Sequence, residues 1–416
     1  MFTTNDQATF GADFLTPANV VPPIVAGAEP IEWQPEFIGD LINQIPGLNT
    51  VVDTIGNLLQ PNLDRLFNLE PRFEDLIPNF FNQAKFDPLT GYGLVNAAAA
   101  VAVALSGSFS TPLWNVKDLG GKEWANDLIK SPEVWQGSLF TNSITGTGVV
   151  VAVIDDGVDI SHPDLAANIW RNPGEIAGNG IDDDGNGFVD DLHGWNFTTD
   201  SNNGDVRPAS AQDSHGTHVA GTIAALRNDL GSTGVAPGAK IMPIKIADTD
   251  QNRRWQNVST NGIAQAIRYA VDNGAGVINM SFGSTGFDQG IRDALAYAAS
   301  KNVITVAAAG NSKGSVPAFP ANQAISFGIS VGSIDRNTNL SQFSNLAGNN
   351  SGMLHIMAPG ENIHSLGLGG QFRESSGTSM ATPHVAGVVA LMKSANPNLS
   401  ATDIRRIIAE TATKIA

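Results

Sequence analysis

The chain has 416 residues, 42% of them hydrophobic, and carries 23 basic against 40 acidic side chains, for a net charge of −17. This length and apolar content are typical of a globular protein with one large domain or two ordinary ones, and the negative charge disfavours nucleic acid and anionic membranes as partners. Because the chain has no cysteine, disulfides, thiolate metal sites and a cysteine nucleophile are excluded.

Residues 1–85 are predicted to be an N-terminal extension with only brief helices, because Pro, Asn and Gly interrupt its short apolar stretches. Its role stays open between an inhibitory prosegment, a targeting arm and a scaffold. The start, MFTTNDQATFGADF, lacks the basic and apolar regions of a secretory signal, which favours an intracellular location. The longest apolar stretch, 97–105, is shorter than the roughly 20 residues of a membrane span. We expect a monomer without a membrane partner.

From residue 149 onward, apolar runs such as VVVAVI, AKIMPIKI and VITVAAAGN alternate with helical patterns such as HVAGTIAAL and IAQAIRYAVDNG. This alternation predicts an α/β fold, a doubly wound, mostly parallel sheet with helices on both faces. Several predicted strands end in polar residues, at Asp155, Ser281 and Asn311. Open α/β sheets place their sites at the carboxyl ends of the strands, so we expect the functional site there.

The first candidate motif is VVVAVIDDG, in which an apolar run leads directly into Asp155 and Asp156. A capping or turn aspartate explains one of these carboxylates as well as a functional role does. The second motif is DSHGTHVAGT, where Ser214 is a plausible helix N-cap and His215 lies in the first helical turn. His215 and His218 are disfavoured as a metal pair, because zinc-binding helices space their two histidines four residues apart.

The third motif, GTSMATPHVAG, begins a helix of small residues with several hydroxyls. Ser379 at such a buried helix start has backbone N–H groups around its oxygen, although these hydroxyls are also explained as helix caps. A nucleophilic serine needs a base and an orienting acid. His215 and Asp155 offer one of each.

In this order of Asp, His and Ser, the three motifs VAVIDDG, HGTHVAGT and GTSMATPHVAG resemble the signatures of subtilisin-like serine proteases, the subtilases. The similarity extends with gaps from about Trp124 to the carboxyl end and makes 115–416 the catalytic domain. It implies a serine endopeptidase that cuts polypeptide substrates through an acyl-enzyme. Asp155 would orient the imidazole, His215 would act as base and then acid, and Ser379 would attack. Asp156 stands where many relatives have Ser or Thr.

The same resemblance implies further site residues. Asn311 matches the oxyanion asparagine of the family, with the alternative of a turn residue. Substrate would lie as an added strand along Ser281, Phe282 and Gly283. Ala318 would lie near the floor of the pocket before the cut bond and favour apolar residues, unless an acidic side chain from elsewhere selects Lys or Arg. The alternative function is an inactive peptide- or calcium-binding relative, which a damaged triad would reveal.

The run DDDGNGFVD resembles the first nine positions of a calcium loop, with Gly187 at the sharp turn. The usual distal Glu is missing, and Asp191 is a possible substitute. The alternative is a solvated acidic turn. The predicted ligands are Asp182, Asp184, Asn186, the Phe188 carbonyl, Asp190 and Asp191.

A second calcium site is implied by the resemblance alone, and its alternative is an ordinary surface turn. It would be formed by Asp164, Leu226, Asn228, Leu230 and Ser232. The chain also stops at Ala416, where relatives continue through a strand and a last helix. Residues 86–105 resemble that missing ending, so we expect this segment to occupy its place as a local circular permutation.

Overall fold

The structure is a computed structural model and describes residues 85–106, 119–136, 143–201, 203–228, 230–252 and 254–415. The predicted N-terminal extension lies outside the described residues, apart from Lys85, so its role stays a prediction. The described residues belong to one compact unit, Glu74–Ala416. No helix of this described part is long and apolar enough to cross a membrane.

A seven-stranded sheet lies at the centre of the described part, and its strands are formed by the β-branched runs of the sequence. The strand order is β2-β3-β1-β6-β7-β8-β9, and every neighbouring pair is parallel. The predicted doubly wound parallel sheet is confirmed. Its strands are β1 Val150–Asp155, β2 Trp195–Asn196, β3 Lys240–Lys245, β6 Val277–Met280, β7 Ile304–Ala308, β8 Ile329–Ile334 and β9 His355–Pro359. Two antiparallel hairpins pair β4 Asp248–Thr249 with β5 Trp255–Gln256 and β10 Ile363–Leu366 with β11 Phe372–Ser375.

Helices cover both faces of the sheet, as the continuous apolar strands require. Alternate residues of β1 show this directly: Val151 and Val153 face one apolar core, whereas Ala152 and Ile154 face another. The helices are α1 Ala97–Ser106, α2 Trp124–Ile129, α3 Ser131–Trp135, α4 His215–Ala224, α5 Thr260–Asp272, α6 Gln289–Ser300, α7 Thr378–Ala395 and α8 Ala401–Thr411. Residues of α1, α4, α7 and α8 line the first core, and residues of α5 and α6 line the second.

The strand order reverses direction at β1, which lies between β3 and β6. Val151 of β1 pairs with Ile241 on one side and with Val277 on the other. Such a switch point opens a crevice at the carboxyl ends of the strands. Asp155 ends β1 there, and Ser281 directly follows β6.

Within the segment 86–105, residues 92–95 lie along the outer edge of β9. Leu94 exchanges two backbone hydrogen bonds of 2.8 Å with Thr413, and Val95 N donates to Met357 O at 3.0 Å. The alanine-rich helix α1 follows, capped by the Asn96 side chain, which accepts a hydrogen bond from Ala99 N at 2.9 Å. This helix packs on α7 and α8 within the first core. That the segment replaces the carboxyl-terminal elements of the relatives stays a prediction.

Candidate active site

Asp155 and His215 form a hydrogen-bonded pair at the switch point of the sheet. Asp155 is fully buried at the end of β1, and its Oδ1 lies 2.7 Å from His215 Nδ1. His215 is the first residue of α4, and its side chain is 28% exposed. The carboxylate therefore orients the ring, while the imidazole remains accessible to a substrate.

Asp156 binds the amino-terminal end of α4, the helix that begins with His215. Its carboxylate accepts hydrogen bonds from the backbone N–H groups of His215 at 3.3 Å and of Gly216 at 2.7 Å. Ser214, which the sequence predicts as the cap, makes no side-chain cap hydrogen bond. Asp156 thus caps α4 from a distant part of the chain, as unpaired N–H groups at a helix start require. Burial, together with the charge of Asp155, raises the pKa of Asp156 to about 7.

The charges around His215 decide its basicity. Partial burial lowers its pKa, but the charge and hydrogen bond of Asp155 and the charge of Asp156 outweigh this and raise the pKa to about 9. Arg373 acts in the opposite direction and lowers it. An imidazolium is therefore stabilised in this site, which is what a general base needs when it takes up a proton.

Ser379 is the second residue of α7. Its hydroxyl donates to the Ser281 carbonyl at 2.8 Å, and the Ser281 hydroxyl donates to the Ser379 carbonyl at 2.8 Å. This double contact joins the start of α7 to the end of β6. In this structure the Ser379 hydroxyl therefore donates to the Ser281 carbonyl and not to His215. Catalytic hydrogen bonds of free enzymes are often formed only when substrate binds.

Asn311 follows β7 at the same edge of the sheet, with its side chain held at one end. Its Oδ1 accepts hydrogen bonds from the Thr378 N–H at 2.8 Å and the Thr378 hydroxyl at 2.9 Å. Both contacts use the amide oxygen, so the amide nitrogen remains available as a donor. Gly377 precedes this pair with φ +156°, and a Cβ there would lie 3.3 Å from Asn311 Nδ2. A larger residue at 377 would crowd the amide.

The residues predicted to bind substrate line one side of this cleft. Ser284 and Phe319 exchange backbone hydrogen bonds of 2.8 and 3.1 Å, which brings Ala318 next to Gly283. A Cβ on Gly283 would lie 3.4 Å from Ala318 Cβ. The chain passes from buried Ser281 to exposed Gly283, and the missing side chain of Gly283 and the small one of Ala318 leave space at this position.

The sequence analysis missed Trp255, which lies on the β4–β5 hairpin. Its ring centroid is 6.1 Å from that of His215 and 5.7 Å from that of Phe282. Phe282, one of the predicted substrate-binding residues, and Trp255 therefore form a continuous aromatic surface that reaches His215. A two-residue strand in a polar connection gives no periodic signal, so only the tertiary structure reveals this position.

The predicted calcium loop is anchored to the second core by Phe188, whose ring contacts Trp195, Phe197 and Tyr269. The carboxylate of Asp182 accepts backbone hydrogen bonds from Asn186 and Gly187, and that of Asp190 accepts them from Gly178, Asn179 and Gly180. These two predicted ligands therefore shape the loop in this structure.

Three other carboxylates converge beside the loop. Oxygen atoms of Glu175, Asp184 and Asp191 lie within 4.8 Å of one another, and the Asn186 amide donates to both Asp184 and Asp191. Glu175 was not predicted, because it lies upstream of the loop pattern in a separate turn. Burial raises the pKa of Asp191. An oxygen-rich, negative set of this kind suits Ca²⁺.

Asp164, the predicted aspartate of the second calcium site, has the least satisfied carboxylate of these candidates. It is fully buried, and neither of its oxygens makes a hydrogen bond of good geometry with the described residues, although the Asn228 side chain and the Ser232 N–H are near enough to act on its pKa. Its backbone carbonyl accepts from Leu226 N at 2.9 Å, and the Asn228 side chain accepts from Leu230 N at 2.9 Å, so aspartate and predicted loop are adjacent. Burial raises the pKa of Asp164, and a buried carboxylate without partners fits a bound cation.

Comparisons with known proteins cover the whole of this site. The subtilase family model matches residues 146–416, more than half of the chain. Subtilisin BL of Lederbergia lenta is 36% identical over 292 residues, which are 70% of this chain and 91% of that protein. Thermitase of Thermoactinomyces vulgaris is 35% identical over 296 residues, 71% of this chain and 90% of that protein. M-protease of Shouchella clausii is 36% identical over 290 residues, 70% of this chain and 64% of that protein.

Proposed function

The chain belongs to the subtilase family and is a serine-type endopeptidase, and we propose that Asp155, His215 and Ser379 are its catalytic triad. The observation that carries this proposal is the 2.7 Å hydrogen bond between Asp155 and His215 at the switch point of the sheet. Ser379 and Asn311 lie at the same edge, linked through Thr378. The substrate is the peptide bond of a polypeptide.

In the proposed reaction, the Ser379 hydroxyl leaves the Ser281 carbonyl and turns to His215 Nε2. As Oγ attacks the scissile carbonyl, Nε2 takes its proton, and the Nδ1–H donates to Asp155, which stabilises the imidazolium. His215 then gives the proton to the leaving amine. Water enters by the same route, with His215 as base again, and hydrolyses the acyl-enzyme on Ser379.

The oxyanion that forms in both steps would be stabilised by two donors. One is the Asn311 side-chain amide, whose oxygen is already held by Thr378, so little reorientation is needed when charge develops. The other is the Ser379 N–H in the first turn of α7, where N–H groups have no partner within the helix. We place the residue before the cut bond beside Gly283 and Ala318, where small neighbours favour an apolar side chain.

Calcium would stabilise this enzyme without taking part in the reaction. Bound calcium supplies positive charge that neutralises converging carboxylates. We propose one site at Asp164 with the loop 226–232, and another at Glu175, Asp184 and Asp191. The two unpartnered oxygens of Asp164 are the stronger support.

A fluorophosphonate probe in calcium buffer tests the proposed nucleophile, because it labels only an activated serine. Wild-type protein and a Ser300→Ala control, which changes an exposed helix serine, should be labelled equally, whereas Ser379→Ala should not be labelled. Peptide hydrolysis measured in the same samples should follow the labelling. Labelling that survives in the Ser379→Ala variant, or a folded wild type that is never labelled, would contradict the proposal and favour a peptide-binding role.

A further inference from the structure

Arg373 is a cation in the cleft that the reaction described above does not use. It lies on β11, the strand that leads into the nucleophile, and pairs with Ser365 of β10. Ser365 is buried and its hydroxyl donates to the His218 carbonyl of α4 at 2.8 Å. Since paired residues share a face of a hairpin, Arg373 also faces α4. Its Nη1 donates to the Ser214 hydroxyl, next to His215.

Arg373 forms no ion pair with a carboxylate of the described residues. No carboxylate of the described residues lies within 4.0 Å of its guanidinium, although the chain carries a net charge of −17. The neighbouring Glu374 is exposed and pairs with His364, on the opposite face of the hairpin. Arg373 itself is half-buried, and its charge lowers the pKa of both His215 and His218. A half-buried guanidinium without a carboxylate can still bind one through two parallel hydrogen bonds.

The two sides of His215 differ. Trp255, Phe282 and the backbone after β6 line the side assigned above to the acyl part of the substrate. The β10–β11 hairpin contributes no residue to that wall and reaches His215 through Ser214 instead. In the proposed reaction the leaving amine takes its proton from His215, and Arg373 lies next to that histidine through Ser214 and outside the acyl wall.

We propose that Arg373 is a specificity-determining residue that binds a carboxylate on the leaving side of the cut bond. This inference rests on the proposed triad. The carboxylate belongs to an acidic side chain at the first or second residue after the cut, or to the free carboxyl end of a short leaving peptide. Its binding also offsets the positive charge beside His215 when the histidine must accept a proton.

The test is a set of internally quenched peptides with one acyl part and with Glu, Gln or Lys at the first or second leaving position. A second set of peptides that end at the second leaving residue carries either a free carboxylate or an amide there, which separates the two sources. The measured quantity is kcat/KM for wild type, Arg373→Gln and Arg373→Lys. The matched control is Arg268→Gln, which removes an arginine that stacks on Tyr297 of α6.

We expect wild type and the Arg268→Gln control to cleave at least one carboxylate-bearing peptide about tenfold faster than its neutral partner, the effect of one charge-assisted hydrogen bond. Arg373→Gln should cleave both at equal rates, and Arg373→Lys should retain part of the preference, since it keeps the charge without the fork. The inference is overturned if the wild type cleaves every carboxylate-bearing peptide and its neutral partner at equal rates, or if the preference for the carboxylate survives in Arg373→Gln. Either result leaves the proposed triad intact. If the wild type cleaves none of the peptides and does not react with the fluorophosphonate, the proposed triad is overturned.

Discussion

Replacement of Asp156 by serine tests how the structure sets the basicity of His215. A carboxylate oxygen of Asp155, one of Asp156 and a ring nitrogen of His215 lie within 4.8 Å of one another. At an effective dielectric constant of about 20, two unit charges at about this distance interact by ~3.5 kcal/mol. The 28% exposure of His215 and the opposing charge of Arg373 reduce this value. We therefore expect the pKa of His215 to fall by about one unit, which corresponds to ~1.4 kcal/mol.

The assay is the pH dependence of kcat/KM, whose acid limb reports the protonation of the free base. A neutral imidazole is required for attack, so a lower pKa moves this limb to lower pH in Asp156→Ser. The matched control is Asp213→Asn, which alters a buried carboxylate that accepts hydrogen bonds from Ser210 and Thr249 and should move the limb much less. An acid limb that stays in place or moves to higher pH in a folded Asp156→Ser variant would refute the reasoning.

Three further predictions concern stability and transition-state binding. Burial lowers the pKa of His218 and His355 to about 3 and that of His384 to about 4, so these three histidines bind fewer protons in the folded state than in the unfolded state. The stability that they contribute should be complete above about pH 6.5 and fall below it, by at most ~2 kcal/mol per histidine at pH 5, whereas the raised pKa values of Asp156 and His215 act in the opposite direction. Urea unfolding of wild type and His355→Gln at pH 7.5 and 5 checks this, because the variant lacks one of the three contributions and its stability should fall less, or rise more, between the two pH values. Asp164→Ala should abolish the rise of Tm that calcium gives at this site, measured with and without chelator; an unchanged calcium response would place calcium elsewhere. Asn311→Leu should lower kcat by about 10²- to 10³-fold with little change in KM, and a change confined to KM would instead indicate a binding role.

The sequence predicted those parts of the site that local patterns determine. A β-branched run that ends in aspartate defines β1 and Asp155, and a small-residue helix after a hydroxyl cluster defines α7 and Ser379. Trp255, Glu175 and Arg373 were not found, because each acts through neighbours far along the chain and lies in a segment without periodicity. The sequence also predicts Ser214 as the cap of α4; Ser214 occupies the N-cap position, but the Asp156 carboxylate accepts the hydrogen bonds of the first N–H groups. A cap contributed by another strand leaves no mark in the local sequence of the helix.

Asp156 and Arg373, whose roles the sequence did not predict, both bind the start of α4. Because Asp156 satisfies the first N–H groups of the helix, the Ser214 hydroxyl is free to accept from Arg373. Beside Asp155, two opposite charges therefore act on His215: Asp156 raises its pKa and Arg373 lowers it. A serine at position 156 would leave Arg373 opposed by Asp155 alone. His215 would then be a weaker base, and a substrate carboxylate bound to Arg373 would raise its pKa again. The pH profile of kcat, which reports the enzyme–substrate complex, should accordingly depend on the leaving group more strongly in Asp156→Ser than in the wild type.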